Sequence, residues 1–458
     1  MNICFFNRSY WPEAGATGRL LAQLAEDLVG AHGCDVTVVA GRPVETAAQQ
    51  ESFRLTASAK ATASPPKHLR RRKPDATSFW NSVASAFRRK ATSAETHRGV
   101  RIIRAGGTTF NRRRFAGRAL NYLTYFASAC LSALRVPPPD VAIALSDPPI
   151  IGFAALLASR RSGGRFVLVC QDLFPEVTIL LDDFHSRIVD RVLFWINRFL
   201  MRRADRVVVV GEAMKEKVVA TRGIDEANVI VIHNWCDRAQ VTPAPRRNAV
   251  AIELGLADGF VVMHSGNMGF AQDLDTLLDA AASLRDLRDV TVAIVGGGAR
   301  RAALEARVRD EGLTNVRLLP YQPEERLSDT LASADVHVVS MKRGLEGCLV
   351  PSKLYGVLAA GRAYIAAAEP TTEVATIASG TGSGIVVPPG RAAGLAAAVR
   401  RLHADRALTA RLGRAALAAS ATYDRPRQVA AYFDVFASLA PSNEPVFHAK
   451  GSKAGSSP

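Results

Sequence analysis

The feature that most constrains this chain is a repeated alternation of short, continuous apolar runs with longer stretches of helical periodicity. The first series of runs covers residues 2–6, 36–40, 141–145, 166–170, 206–210 and 229–232. The second covers 260–264, 291–295, 316–319, 336–340 and 364–367. Helical patterns such as 18–29, 188–203 and 274–284 lie between them. Runs that are apolar throughout mark strands covered on both faces, and strands separated by helices form parallel sheets. The pattern occurs twice, on either side of Thr242-Pro243-Ala244-Pro245-Arg246-Arg247-Asn248, a Pro- and Arg-rich linker. The fold class expected is therefore α/β, with two doubly wound, Rossmann-like parallel-sheet domains facing across a cleft. A chain of 458 residues is long enough for both cores.

Charge narrows the partners. Lysine and arginine number 58 against 42 acids, a net charge of +16. Such a surface attracts polyanions: nucleic acid, anionic lipid or phosphorylated substrates. No helix-turn-helix, zinc or RNP pattern accompanies the charge, so nucleic acid is not the expected partner. The six cysteines are scattered, with no C-x-x-C pair and no Cys/His cluster, which predicts a reducing cytoplasm and no metal site. The amino terminus opens on a strand-like run, Asn2 to Asn7, and predicts no signal peptide.

Two segments fall outside the alternation. Residues 46–98 are rich in Ala, Ser, Thr and Arg, with clusters at Arg70-Arg71-Arg72-Lys73 and Arg88-Arg89-Lys90, and read as a basic, partly disordered insertion. Residues 441–458 read as an unfolded tail. The apolar stretch 119–134 is shorter than the ~20 residues a spanning helix needs. It carries Tyr122, Tyr125 and Phe126 and is flanked by Arg118 and Arg135. That mixture suits either the headgroup region of an anionic membrane or a core helix with solvated arginines nearby.

Both domains open with a strand, a Gly-containing turn and a helix. Gly15, Thr17 and Gly18 form the first turn, and Gly266, Asn267 and Gly269 the second. Glycines there let a ligand approach the backbone and helix N–H groups favour a phosphate, though a tight turn needs glycine for its own sake. In the second domain, Gly344 to Gly361 (GLEGCLVPSKLYGVLAAG) gathers an acid, backbone amides, a hydroxyl and a lysine at one strand-to-helix turn. Asp172 follows the run 166–170 and so stands at the carboxyl end of a strand, facing the cleft. It could orient an acceptor hydroxyl or take its proton, or serve as a cap or salt-bridge partner. Asp273-Leu274-Asp275 fits D-x-D, but its place at a helix start favours cap and dipole chemistry over a metal.

The 344–361 segment resembles family 4 of the retaining glycosyltransferases, of GT-B fold. So do Gly266-Asn267-Met268-Gly269, Gly296-Gly297-Gly298 and Leu319-Pro320-Tyr321-Gln322-Pro323. Tyr10-Trp11-Pro12-Glu13, Ser146-Asp147-Pro148-Pro149, Gln171 to Glu176 and His233 to Asp237 resemble motifs of its bacterial O-antigen and colanic-acid branch. The likeness spans about residues 1–440 apart from 46–98. It implies an acceptor-side domain over 1–241, a donor domain over 242–424 and a helix over 425–440 that returns to the first domain. It also implies transfer of a sugar from a nucleotide-diphosphate donor, UDP before GDP, to a lipid-linked or growing saccharide. The work would be done at the inner face of the membrane, with no metal. A nucleotide-sugar 2-epimerase and a non-catalytic subunit of a polysaccharide machine are the rival readings.

Carried over residue by residue, the resemblance places Glu346 at the first acid of E-x7-E, beside the transferred sugar. Gly347, Cys348 and Leu349 would offer amides to sugar or phosphate, Ser352 would share that turn, and Pro320 and Tyr321 would lie beside the base. The second acid falls on Leu354 by spacing, or on Gly356 by alignment to Pro-Ser-Lys-x-Tyr, so Glu373 is the expected substitute at the ribose. The usual Arg/Lys pair after Gly269 is replaced by Phe270-Ala271-Gln272-Asp273, which leaves Lys353 to supply charge at the diphosphate.

Overall fold

The computed structural model describes residues 1–13, 15–43, 94–108, 110, 115–181 and 186–440. Two sheets organise it. The first has eight strands in the order β3-β4-β2-β1-β5-β6-β7-β8. These are β1 (Asn2–Phe6), β2 (Asp35–Ala40), β3 (Ala94–His97), β4 (Val100–Arg104), β5 (Val141–Leu145), β6 (Arg165–Cys170), β7 (Arg206–Val209) and β8 (Val229–Val231). All neighbours are parallel except β3 and β4, which form an antiparallel edge. The second sheet is parallel throughout, in the order β11-β10-β9-β12-β13-β14. Its strands are β9 (Phe260–Asn267), β10 (Val290–Gly297), β11 (Val316–Leu319), β12 (Val336–Ser340), β13 (Ala363–Ala367) and β14 (Gly384–Val387).

Strand periodicity builds a core on each face of a sheet. In β1, Cys4 and Phe6 enter one cluster with Ala142, Ala144 and Leu168, while Ile3 and Phe5 enter the other with Val38 and Ile143. A fully buried Phe contributes up to roughly 3 kcal/mol relative to an exposed one, so apolarity on both faces is what holds these strands inside. The Arg425–Leu439 helix packs on the first domain: Tyr432 and Phe436 lie in the same cluster as Phe5. Arg425 secures it through Asp27 (2.6 Å) and Asp237 (3.0 Å).

Strand order reverses between β1 and β5 in the first sheet and between β9 and β12 in the second. The crevice outside the carboxyl ends of strands at such a switch point is where open α/β sheets bind ligands. Three strands escape sequence reading: β3, which closes the segment assigned to the basic insertion, β4 and β14. Most of that insertion and the tail lie outside the described residues, including Arg70 to Lys73 and Arg88 to Lys90.

The stretch 119–134 is a helix, Phe115–Ala133, but its aromatic residues do not point to a headgroup region. Tyr125 is buried and donates its hydroxyl to Val39 O, and Phe126 packs edge-on against Phe153. Its polar side chains also turn inward: Thr124 and Ser128 accept from the amides of Thr108 and Gly106. This is a core helix with leucines on its outer side.

Candidate active site

The first-domain half of the site is built where β1, β5 and β6 end. Ser146 Oγ accepts from the amides of Gln171 and Asp172, both at 3.2 Å, which fixes the backbone at the end of β6. Asp147 is held by Arg8 and Ser9, each at 3.1 Å. Burial, aided by the neighbouring Asp147, pushes the Asp172 carboxyl up to about 6. A carboxylate near that value is ionised at neutral pH yet basic enough to accept a proton. Gly15 is exposed at the amino end of the Ala16–Gly30 helix, Thr17 is half-buried, and Gly18 is buried against the backbone of Ser9 and Tyr10. Arg8 was not singled out by sequence; its role emerges only once β1 and β5 are neighbours.

The second-domain half is built where β9, β10 and β12 end. The ends of β9 and β10 run side by side in register, Gly266 beside Gly296. Gly296 is left-handed (φ +144°), and a Cβ there would stand 1.9 Å from Gly266 O, so no side chain fits. The Tyr321 ring lies over Gly297 and is 59% exposed, a free aromatic face at the carboxyl end of β10 beside exposed Pro320. Asn267 lies against Gly298 and Gly269, and the Gly269 amide donates to Gln272 Oε1 at 3.0 Å.

Lys353 comes from the far side of this turn. Its side chain lies beside Gly266, and its ammonium meets the Nε2 of buried His264 at 3.0 Å. Burial lowers Lys353 to about 7 and holds His264 well below the imidazole range, the latter aided by Lys353 itself. Glu346 is half-buried, and its Oε2 is buried without a hydrogen-bond partner. An unpaired buried carboxylate oxygen is costly unless a ligand satisfies it. Ser352 begins the Lys353–Ala359 helix without a side-chain cap bond. Leu354, fully buried, and Gly356, half-buried, stand at the two positions where the second acid would fall.

The two halves touch. Asp172 pairs with Leu349 in an isolated antiparallel bridge, and the Leu173 amide donates to Cys348 O at 2.8 Å. Lys217, on the Glu212–Arg222 helix of the first domain, donates to Glu346 O at 2.8 Å and to Cys348 Sγ at 3.0 Å. Gly347 (φ +65°) permits this approach, because a Cβ there would stand 2.6 Å from Ala213 O. Asp172 and the Glu346–Leu349 segment are thus brought together, with a cation that sequence reasoning missed.

Glu373 is engaged elsewhere. Its Oε2 accepts from the Glu212 amide at 3.2 Å, and its Oε1 lies 3.2 Å from His233 Nδ1, both in the first domain. Burial pushes Glu373 up to about 7 and His233 down. The carboxylate expected at a ribose is thus also an interdomain contact, with Oε2 accepting from the Glu212 N–H. The D-x-D carboxylates are also engaged: Asp275 is held by Arg300 and Arg307, and Asp273 accepts from the Thr276 hydroxyl at 2.8 Å. Among the described residues, no group of three or more His, Cys, Asp or Glu side chains could hold a metal ion.

Comparison with known proteins agrees with this layout. Residues 15–235 match the glycosyl transferase 4-like domain family and residues 259–405 the glycosyl transferases group 1 family. The putative colanic acid biosynthesis glycosyl transferase WcaI of Escherichia coli is 29% identical over 278 residues, covering 59% of this chain and 68% of that protein. The probable glycosyltransferase WbjE of Pseudomonas aeruginosa is 28% identical over 284 residues, covering 61% and 70%. Among solved structures, HepE of Anabaena in complex with UDP-glucose superposes with a TM-score of 0.67 at 16% identity, over 96% of this chain and all (100%) of that one. The first domain thus belongs to the glycosyl transferase 4-like family and the second to the group 1 family, and the chain is a glycosyltransferase of GT-B fold.

Proposed function

We propose that this protein transfers a glycosyl residue, with retention, from a UDP-sugar to a lipid-linked or growing saccharide at the inner face of the membrane. The product would enter a cell-surface polysaccharide. The observation that carries this reading is the juxtaposition at the cleft. Asp172, at the end of an acceptor-side strand, is bridged to Leu349, three residues from a Glu346 whose buried carboxylate oxygen lacks a partner. A sugar hydroxyl from the donor would satisfy Glu346, while the acceptor hydroxyl approaches Asp172. Lys353 and the amides of Gly347 and Leu349 would meet the diphosphate, the Cys348 amide being given to Leu345 O at 3.0 Å, and Tyr321 would stack on the base. The names of WcaI and WbjE and the UDP-glucose bound to HepE point the same way.

The reaction needs no resident metal in this scheme, since lysine and backbone amides carry the charge of the leaving diphosphate. A panel of UDP- and GDP-sugars, assayed with and without lipid-linked acceptors, tests it. Acceptor-dependent release of nucleotide, with an axial-to-axial or equatorial-to-equatorial anomeric outcome by NMR, is expected. Donor turnover without acceptor would identify an epimerase. Nucleotide binding without turnover on any acceptor would leave a non-catalytic assembly subunit.

A further inference from the structure

The Arg187–Arg203 helix is oriented against the usual rule. Its buried positions are Asn197, Leu200 and Met201, and Asn197 accepts from the buried Arg222. Its outward positions carry Ile188 (78% exposed), Val192, Trp195 (57% exposed) and Phe199, at helical spacing along one stripe. Arg187, Arg191, Arg202 and Arg203 are the other exposed residues of this helix, so its outward face holds no acid. The cations and rings share the face: the Arg198 guanidinium lies 5.1 Å from the Trp195 ring and that of Arg203 5.2 Å from Phe199.

The stripe is not isolated. Phe199 stacks on Phe153 of the Gly152–Ser162 helix, whose Leu157 is exposed, and Phe153 packs on Phe126 of the Phe115–Ala133 helix, where Leu131 is exposed. Three helices lie side by side over one face of the first sheet, so their outer sides look the same way. Large contiguous apolar surface on a soluble protein marks something that covers it.

We propose that this face, centred on the Arg187–Arg203 helix, docks on an anionic lipid bilayer. An interfacial helix has this pattern: Trp, Phe and aliphatic side chains at acyl depth, with arginines at headgroup level. Each arginine near an anionic leaflet adds about 1 kcal/mol, a pull that salt screens. The absence of acids from the outward positions of the helix suits an anionic partner better than a second copy of a chain of net charge +16. Placement fits as well. The helix follows Asp172 in the chain through the short Glu176–Leu180 helix, so it starts at the cleft end of the first domain. A saccharide whose lipid tail sits in the docked bilayer would reach that rim. This link to an acceptor rests on the proposed function, whereas the docking itself does not.

Flotation of the full-length protein with phosphatidylcholine vesicles, with and without phosphatidylglycerol, tests the surface without requiring sugar transfer. Partition onto the anionic vesicles should exceed that onto neutral ones at least ~10-fold and fall in high salt. Tryptophan emission should shift to the blue on binding, and Trp195→Phe should abolish most of the shift. The triple variant Val192→Ser, Trp195→Ser, Phe199→Ser should lose at least ~10-fold in partition while its thermal unfolding midpoint stays at or above that of the parent. The variant with Arg187, Arg191, Arg202 and Arg203 changed to Ser should lose the preference for anionic lipid. A triple variant that floats like the parent overturns the proposal, as does equal partition onto neutral and anionic vesicles. So does sedimentation of the parent as a dimer that the triple variant dissociates, which would give the face to a second copy.

Discussion

A lysine ammonium held against a buried imidazole is poorly solvated, and at Lys353 that discomfort is the useful property. Burial brings its titration to about 7, so above that pH the free protein holds a neutral amine here. A bound diphosphate would restore the charged form, and the proton must come from solvent. Binding of UDP at about pH 8 should therefore be accompanied by proton uptake, read by calorimetry in buffers of different ionisation enthalpy. Lys353→Met should remove the uptake and weaken binding by about 1.5–3 kcal/mol, the scale of a charged hydrogen bond. Unchanged affinity would take Lys353 out of the site. Asp172 works in the opposite sense: its carboxyl, raised to about 6, is lost as a base when pH falls through that value. Turnover should decline on the same limb, and Asp172→Asn should lower kcat at least ~100-fold with donor affinity nearly unchanged. A near-normal kcat would reduce Asp172 to a structural role. Asp275, already held by Arg300 and Arg307, predicts that EDTA leaves turnover intact. Loss of activity restored by Mg²⁺ or Mn²⁺ would return a ligand role to the D-x-D.

At the scale of elements, the Glu373–Thr381 helix shows how a secondary-structure terminus can sense pH. Glu373 rises from 4.5 to about 7 in the folded protein, through burial. Between those values the folded state binds more protons than the unfolded one, so this group's contribution to stability falls as pH rises and levels off above about 7. The loss is on the order of 3 kcal/mol. His233, lowered by burial, tilts the other way, below the ordinary histidine range. Glu373→Gln keeps an acceptor for the Glu212 amide and removes the titration. Its thermal midpoint should gain on that of the parent between about pH 5 and pH 8, and parallel pH profiles would show that Glu373 does not titrate there.

Which elements were legible follows from the same physics. Runs such as Val141–Leu145 are apolar throughout because helices cover both faces of their sheet, and they stand out in the sequence. Val100–Arg104 and Ala94–His97 are an edge pair whose arginines and glutamate meet solvent or each other, so their pattern resembles a loop. Gly384–Val387 is short and only half-buried at the other edge. The Arg187–Arg203 helix was legible as a helix, but periodicity cannot say which way its stripe faces, and the usual assumption puts Trp195 and Phe199 inside.

The whole molecule adds what no local pattern contains, namely the contact between domains. Glu346 and Lys353 could be placed from their own segment. Lys217 could not, because its link to Glu346 O spans 129 positions and depends on how two separately folded sheets meet. In the structure the end of β6 and the Glu346–Leu349 segment are joined by the Asp172–Leu349 bridge, the Leu173 amide and the Lys217 ammonium. Lys217 reaches the backbone of the residue whose carboxylate is proposed to hold the sugar, so it fixes that residue relative to the first domain. A nucleotide lying on Gly266, Tyr321 and Lys353 is contacted by the second domain alone and would bind whether or not this link forms. Lys217→Met should therefore leave UDP affinity close to that of the parent and lower kcat by roughly 10-fold or more, the effect of one lost charged hydrogen bond of about 1.5 kcal/mol. A parallel loss of UDP affinity would instead place the ammonium on the diphosphate. An unchanged kcat would show that the two halves meet for turnover without this contact.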